Sequence, residues 1–146
     1  MTTEPGHRSE TTLDGLLAAK EIAICCGPGG VGKTTTAAAA AAMAACHHGG
    51  RVLVVTSQGG VMDAAHAAEA PVHLINSGPS MAPVAAKAYG ADAADTLIVG
   101  DTGGTTFDVS LVRRGRIPRT RETWLGQPFR SPMTGMPSVD VKSIGA

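Results

Sequence analysis

The sequence has no excess of either charge, because twelve Lys and Arg residues are matched by twelve Asp and Glu residues among 146. Without net charge, no long-range field attracts the chain to nucleic acid or to an anionic membrane. Aromatic residues make up only 3% of the chain, which is too few for a surface on which bases stack. These shortages argue against a nucleic-acid-binding protein and against a membrane-surface protein.

Cysteine and long hydrophobic segments are also scarce. The three cysteines include the adjacent pair Cys25 and Cys26, and they have the spacing of neither a disulfide framework nor a metal site. The first ten residues are polar and lack the apolar core of a secretory signal. The uncharged stretch Thr34–Cys46 is too short and too rich in alanine to span a membrane. We therefore expect a cytoplasmic protein in a reducing compartment, with no membrane span.

A glycine-rich loop dominates the first third of the chain. Ile22–Cys26 is a short apolar run that predicts a buried strand, and the residues after it fill the phosphate-loop pattern G-x-x-x-x-G-K-[ST]. In such a loop Lys33 places its charge on the β- and γ-phosphates, and the Thr34 hydroxyl binds Mg²⁺. We predict a Mg·ATP site here, with Lys33 also catalytic and Thr34 also a metal ligand. Its residues are Gly27, Gly29, Gly30, Val31, Gly32, Lys33, Thr34 and Thr35.

An alanine-rich helix is predicted directly after the loop, over Thr34–Cys46, with Gly49 or Gly50 as its left-handed cap. Because this helix has no polar face, we expect it to be buried on most sides. Arg51–Thr56 is β-branched and apolar enough to predict a strand buried in a parallel sheet. Residues 21–56 thus form a predicted βαβ unit, after a disordered or helical lead-in over residues 1–20.

Ile22–Thr56 resembles the opening of the anion-transporting ATPases of the arsenite-pump type. Those proteins typically have the loop G-K-G-G-V-G-K-T-T, and this chain has G-P-G-G-V-G-K-T-T over residues 27–35. The family's signature lysine, which reaches the nucleotide of the partner subunit, is therefore Pro28 here. The resemblance implies ATP and Mg²⁺ as ligands, with a homodimer as one alternative for the assembly.

A second candidate phosphate site lies near Asp101. Thr96–Gly100 predicts a strand, a pair of glycines predicts a tight turn, and the alternation over Phe107–Val112 predicts a second strand. The tip of such a hairpin exposes backbone N–H groups to phosphate oxygens. Asp101 is assigned a catalytic and a metal-binding role, and the other candidates are Gly103, Gly104, Thr105 and Thr106. An ordinary hairpin with a capping aspartate fits the same pattern.

Four segments in order resemble the A subunits of hydantoinases and oxoprolinases: 57–62, 77–79, 101–112 and 139–146. That family comprises ATP-dependent amidohydrolases and carboxylase components on the actin-like ATPase fold. The segment 101–112 is also similar to the second phosphate motif of heat-shock chaperones that share this fold. The resemblance implies that residues 57–146 are a partial ATP-binding segment, whose partner is the missing remainder of a larger enzyme.

The other features of the second half are ordinary. His66 and His73 are isolated, and we expect them on the surface or packed against neighbours. The arginine-rich turn Arg113–Arg116 is expected to be a solvated hairpin. Prolines recur through the last quarter of the chain, which predicts short strands and turns there rather than helix.

The fold class that we predict is α/β, with a phosphate-loop βαβ unit continuing into an incomplete actin-like segment of the hydantoinase/oxoprolinase type. The predicted function is Mg·ATP binding, in a chain of ATPase or hydrolase ancestry. One alternative is a single compact phosphate-loop NTPase with helices at Val61–Glu69 and Pro79–Tyr89, in which Asp101 is the Mg²⁺-associated aspartate. That alternative requires a loop and a helix after the glycines at 103 and 104. The other alternative is a non-catalytic fragment or binding module.

Overall fold

The computed structural model describes residues 12–20, 23, 25, 31–90, 92–103 and 106–144. The chain divides into two compact units, Met1–Val52 and Leu53–Ala146. Among the described residues, no helix has both the length and the apolar character needed to cross a membrane.

Two helices make up the described part of the first unit. Helix α1 spans Leu13–Ala19, and helix α2 spans Lys33–His48. The two helices pack together, and the Asp14 carboxylate lies 2.8 Å from His47 Nδ1 and 3.1 Å from His48 Nε2. The predicted alanine-rich helix is therefore confirmed, and it extends one residue earlier and two residues later than predicted.

The surroundings of α2 differ from the prediction. Ala40 is its only buried residue, so the expectation that α2 is buried on most sides is wrong for the described chain. The physical reason is its composition, because alanine methyl groups contribute little apolar area to an interface. The predicted strand Ile22–Cys26 lies mostly outside the described residues. At its two described positions, Ala23 and Cys25, the chain is exposed and forms no strand.

The second unit begins with a hairpin. Strand β1, Leu53–Val55, pairs antiparallel with strand β2, Val61–Asp63. The predicted parallel strand at Arg51–Thr56 is therefore wrong in its pairing. The connection between β1 and β2 is a tight turn closed by Thr56 N–H donating to Gly60 O at 2.9 Å, whereas a parallel pair needs a crossover of a dozen or more residues.

Three helical segments follow the hairpin. These are α3 (Ala64–Glu69), a 3₁₀ helix (Pro71–Leu74) and α4 (Ser77–Gly90). Helix α3 begins where the Asp63 side chain accepts a hydrogen bond from Ala65 N–H at 3.0 Å, which is the expected role of aspartate at a helix N-terminus. The helix expected from Val61 thus begins at Ala64, because Val61–Asp63 belong to β2.

A three-stranded antiparallel sheet packs against α4. Its order is β3 (Leu97–Thr102), β4 (Phe107–Val112) and β7 (Val141–Ile144), so β4 is central. The predicted hairpin of two strands around the glycines is confirmed.

The two faces of this sheet are unequally covered. On the face toward α4, Val112 is 1% exposed and Ser110 is 4% exposed. On the other face, called the open face below, Ile98 is 81% exposed and Leu111 is 43% exposed. The open face is the more apolar side of the hairpin.

The last quarter forms short strands and turns, as predicted. Strand β5 (Arg119–Thr120) pairs antiparallel with β6 (Ser138–Val139). The chain between them, residues 121–137, forms a long loop, called the excursion below. The excursion is closed at its base by the buried hydroxyl pair Thr123 and Ser138. The turn Arg113–Arg116 is a solvated hairpin turn, also as predicted.

Candidate functional site

The hairpin of β3 and β4 places two aspartates side by side. Asp101 on β3 and Asp108 on β4 are direct partners in the antiparallel register, so their side chains leave the same face of the sheet. Cβ atoms of such partners are about 4.5–5.5 Å apart, and like charges in this position repel each other. A cation beside the pair relieves that repulsion.

The two carboxylates have different surroundings. Asp108 is 8% exposed and accepts hydrogen bonds from the Ser143 hydroxyl at 2.5 Å and from the Thr106 hydroxyl at 3.3 Å. Asp101 is exposed and makes no hydrogen bond or ion pair with any residue that the structure describes. Asp108 thus ties β4 to β7 and to the end of the turn, whereas Asp101 is available to an external ligand.

The turn at the tip of the hairpin is closed by the Gly103 N–H, which donates to Thr106 O at 2.9 Å. A Cβ at Gly103 would lie 3.3 Å from that carbonyl oxygen, so a glycine suits this close approach. The Thr106 hydroxyl is directed to Asp108, although it was predicted to reach a phosphate. The other two predicted ligands of the tip, Gly104 and Thr105, lie outside the described residues.

A glycine also determines the packing just before Asp101. A Cβ at Gly100 would lie 3.0 Å from Cζ of Phe107, so the aromatic ring rests directly over the glycine backbone. This contact ties the start of β4 to the strand that carries Asp101.

The phosphate-loop residues are described only in part. Gly27, Gly29 and Gly30 lie outside the described residues. Gly32 has φ 82° and ψ 24° and precedes the first residue of α2, Lys33; as a glycine it contributes no side-chain cap to the helix. Val31, Thr34 and Thr35 are exposed. A helix that begins at the lysine of the motif agrees with the predicted local geometry, and the phosphate-binding role of the loop stays a prediction.

The strand that follows the Asp101 turn argues against the alternative of a single compact phosphate-loop NTPase. That alternative requires a loop and a helix after the glycines, but Phe107–Val112 forms β4. The requirement is therefore not met.

The chain matches the family model for hydantoinase/oxoprolinase over residues 31–146. The chain belongs to the hydantoinase/oxoprolinase family. The match begins inside the phosphate-loop pattern and includes all of α2, whereas the resemblance noted from the sequence began at Ser57. The segment that resembles anion-transporting ATPases thus lies partly within the hydantoinase/oxoprolinase match.

This chain spans only a small part of two longer proteins that it resembles. It is 34% identical over 94 residues to the alpha subunit of caprolactamase from Pseudomonas jessenii, which is 62% of this chain and 12% of that subunit. Its fold is similar to part of acetone carboxylase in a nucleotide-free structure from work on ATP-dependent acetone carboxylation. That similarity has a TM-score of 0.58 at 24% identity and covers 77% of this chain and 15% of the carboxylase chain. The α/β fold class is confirmed.

The structure also assembles a site that the sequence did not indicate. Gln58, His73 and Arg119 line one pocket of unit Leu53–Ala146, together with the glycines of the turn between β1 and β2. His73 and Arg119 were expected to be an isolated histidine and part of a solvated basic run. The sequence signal was the Gly59–Gly60 pair shortly after the predicted strand Arg51–Thr56, but the residues that meet there are far apart in the chain.

Proposed function

We propose that this chain carries one of the phosphate-binding elements of an ATP-dependent enzyme of the hydantoinase/oxoprolinase family. Asp101 and the backbone of the turn after it form the element, and Asp101 binds Mg²⁺ through ordered water or directly. The observation that carries the proposal is the contrast between the two paired aspartates. Asp108 is hydrogen-bonded to Ser143 and Thr106, whereas Asp101 has no partner among the described residues.

The residues at the turn fit magnesium. Mg²⁺ prefers oxygen ligands and usually binds through one or two carboxylates together with water and substrate phosphates. Asp101 offers one exposed carboxylate beside a second negative charge, and no group of three or more potential ligand side chains is arranged for a metal among the described residues. One protein carboxylate completed by phosphate and water is the arrangement that this donor set favours. The bound ion would neutralise phosphate charge at the turn.

Family membership supports the use of ATP, and the acetone carboxylase relative is described as ATP-dependent. The caprolactamase relative is one subunit of an enzyme, which supports a larger assembly as the setting of this site. We therefore assign the chain to the nucleotide-binding part of such an enzyme, acting as an ATPase or a hydrolase of this family.

The phosphate loop is a second candidate for the same ligand. The observation in its favour is the start of α2 at Lys33 after a glycine with positive φ, since a helix N-terminus attracts phosphate. In that case Lys33 and Thr34 bind Mg·ATP, and Asp101 is not needed.

The test is a calorimetric titration of Mg·ATP into the full chain and into Asp101→Asn and Lys33→Ala. A charge-assisted contact contributes roughly 1.5–3 kcal/mol, so loss of the essential one weakens binding about tenfold to a hundredfold. We expect Asp101→Asn to raise the dissociation constant for Mg·ATP by that factor, and Lys33→Ala to change it less than twofold. Asp92→Asn and Lys87→Ala are matched controls, because both residues are exposed and lie in other parts of the second unit.

The remaining outcomes are decisive as well. Weakening by Lys33→Ala alone overturns the assignment to Asp101 and favours the phosphate loop. Absence of Mg·ATP binding in the unaltered chain favours the non-catalytic fragment. The melting temperature of Asp101→Asn without ligand gives an independent readout: it should equal or exceed that of the unaltered chain, because the substitution removes repulsion from Asp108.

A further inference from the structure

The turn between β1 and β2 is held from several sides. Ser57 N–H donates to the carbonyl oxygen of His73 at 2.7 Å, and Ser57 O accepts from the Ser80 hydroxyl at 3.0 Å and from Val139 N–H at 2.8 Å. Ser57 and Ser80 are 5% and 1% exposed. The turn is thus fixed to the 3₁₀ helix, to α4 and to β6 by buried hydrogen bonds.

Glycine is required at the centre of the turn. Gly59 has φ +77°, and a Cβ there would lie 3.0 Å from Cγ2 of Val84 and 3.2 Å from Cγ2 of Val139. Such a φ is strained for other residues, and Val84 and Val139 would have to shift by a few tenths of an ångström to admit a Cβ. Gly59 therefore packs closely against Val84 and Val139, and it also lines a pocket together with Gln58 and Gly60.

The pocket has a volume of about 300 Å³, at the small end of the range for ligand sites. Its polar side chains include Gln58, His73 and Arg119, and its apolar wall comes from Val61 and Met62. Among the residues that the structure describes, no Asp or Glu lines it. Within the described chain, the side chains of Gln58, His73 and Arg119 make no hydrogen bond or ion pair with one another or with other residues.

The side chains of Gln58, His73 and Arg119 together favour an oxyanion as ligand. A guanidinium offers several N–H donors in a planar fork that matches a carboxylate or a phosphate, and an amide and an imidazole add further donors. None of the described lining residues is a carboxylate, so none of them competes for these donors. The hydrogen bonds of Ser57 hold the backbone of the turn next to Gln58, so the turn adds little to the cost of ordering the site on binding.

We propose that this pocket binds a small oxyanion, a carboxylate or a phosphate group, and that Arg119 provides the principal contact. The site is separate from the Asp101 turn and does not depend on nucleotide binding there. The apolar side chains Val61 and Met62 accommodate a short hydrocarbon portion, which favours a small organic anion over a bare inorganic ion.

The experiment is an NMR titration of the full ¹⁵N-labelled chain with sodium acetate, sodium butyrate and inorganic phosphate at constant ionic strength. We expect saturable shifts at Gln58 and Gly60 with each anion, and tighter binding of butyrate than of acetate. Arg119→Gln should weaken binding roughly tenfold or more. Arg121→Gln is the matched control, because Arg121 is exposed, two residues away and outside the pocket, and it should change binding less than twofold.

Two further results distinguish binding in this pocket from unspecific attraction and from binding at the hairpin turn. Equal weakening by Arg119→Gln and Arg121→Gln overturns the proposal, because it shows unspecific attraction to the basic run. Loss of anion binding in Asp101→Asn also overturns it, since the anion would then bind at the hairpin turn. Because Arg119 is exposed, its substitution should leave the amide spectrum dispersed, and His73→Gln gives a second variant that tests the same pocket. No saturable shift with any of the three anions refutes the site outright.

Discussion

The two faces of the sheet formed by β3, β4 and β7 differ in a way that reverses the usual arrangement. The face toward α4 buries a carboxylate and a serine hydroxyl beside Val112, whereas the open face exposes Ile98, Phe107 and Leu111 to solvent. Burial in this sheet therefore follows the position of α4 and not the polarity of the residues. A contiguous apolar patch of this kind is typical of surfaces that contact other protein.

The largest expected effect on stability is the difference between aspartate substitutions at two neighbouring residues of β4, Val112 and Leu111. Val112→Asp places a carboxyl group at a fully buried position without a partner, and it should destabilise the second unit by at least about 3 kcal/mol. Leu111→Asp, on the open face, should cost under about 1 kcal/mol. Urea denaturation followed by the fluorescence of Trp124, the single tryptophan of the chain, reports on this unit. Equal losses would show that the open face is covered in solution.

A smaller difference is expected between the paired aspartates. Asp108→Ala removes the acceptor of the Ser143 and Thr106 hydroxyls and should lower the free energy of unfolding by about 1–3 kcal/mol. Asp101→Ala should leave it unchanged or raise it by up to about 1 kcal/mol, because the repulsion across the strands is lost. The same denaturation assay without Mg²⁺ measures both. A larger loss in Asp101→Ala would contradict the structural role assigned to Asp108.

Substitution of Phe107 tests whether packing on the open face contributes to the free energy of unfolding. Phe107 is 41% exposed and its ring rests on Gly100, so Phe107→Ala should cost about 1 kcal/mol, less than the loss of a fully buried aromatic side chain. Gly100→Ala should have a similar effect, since its new methyl group displaces the ring. If Phe107→Ala has no effect, the ring does not hold this position in solution.

The smallest expected effect on stability is that of Ile98→Thr, because Ile98 is 81% exposed. The free energy of unfolding should change by no more than about 0.5 kcal/mol. If the open face mediates self-association, the association measured by light scattering over a range of protein concentrations should nevertheless decrease, since the apolar patch becomes smaller. Unchanged self-association in Ile98→Thr would show that the chains associate through a different surface.

The sequence predicted those features that depend on local chemistry. The alanines specified α2, and the glycines with the alternating residues 107–112 specified the hairpin that carries Asp101. Two features were not predictable in this way. An apolar β-branched segment such as residues 53–55 is equally suited to parallel and antiparallel pairing, and only the short glycine turn after Thr56 decides between them. Alternation along β4 separates two faces, but it does not indicate which of them α4 covers.

The candidate sites show the same limit. Asp101 could be identified because its partners in the motif are adjacent in the sequence. The pocket of Gln58, His73 and Arg119 could not, because the fold brings together residues from a turn, a 3₁₀ helix and a short strand. The commitment of Asp108 to the Ser143 and Thr106 hydroxyls is likewise a consequence of strand register, which the sequence pattern does not encode.

The excursion between β5 and β6 has a consequence for how this part of the family can vary. Its two ends leave from adjacent strands and are joined at the base by Thr123 and Ser138, and its bridge between Trp124 and Met133 is internal. The loop therefore satisfies much of its own hydrogen bonding. Lengthening a loop whose ends are already fixed costs little conformational entropy. Residues 125–132 are thus a position at which an insertion, or even an additional small domain, can be accepted while the sheet and the Asp101 turn keep their geometry.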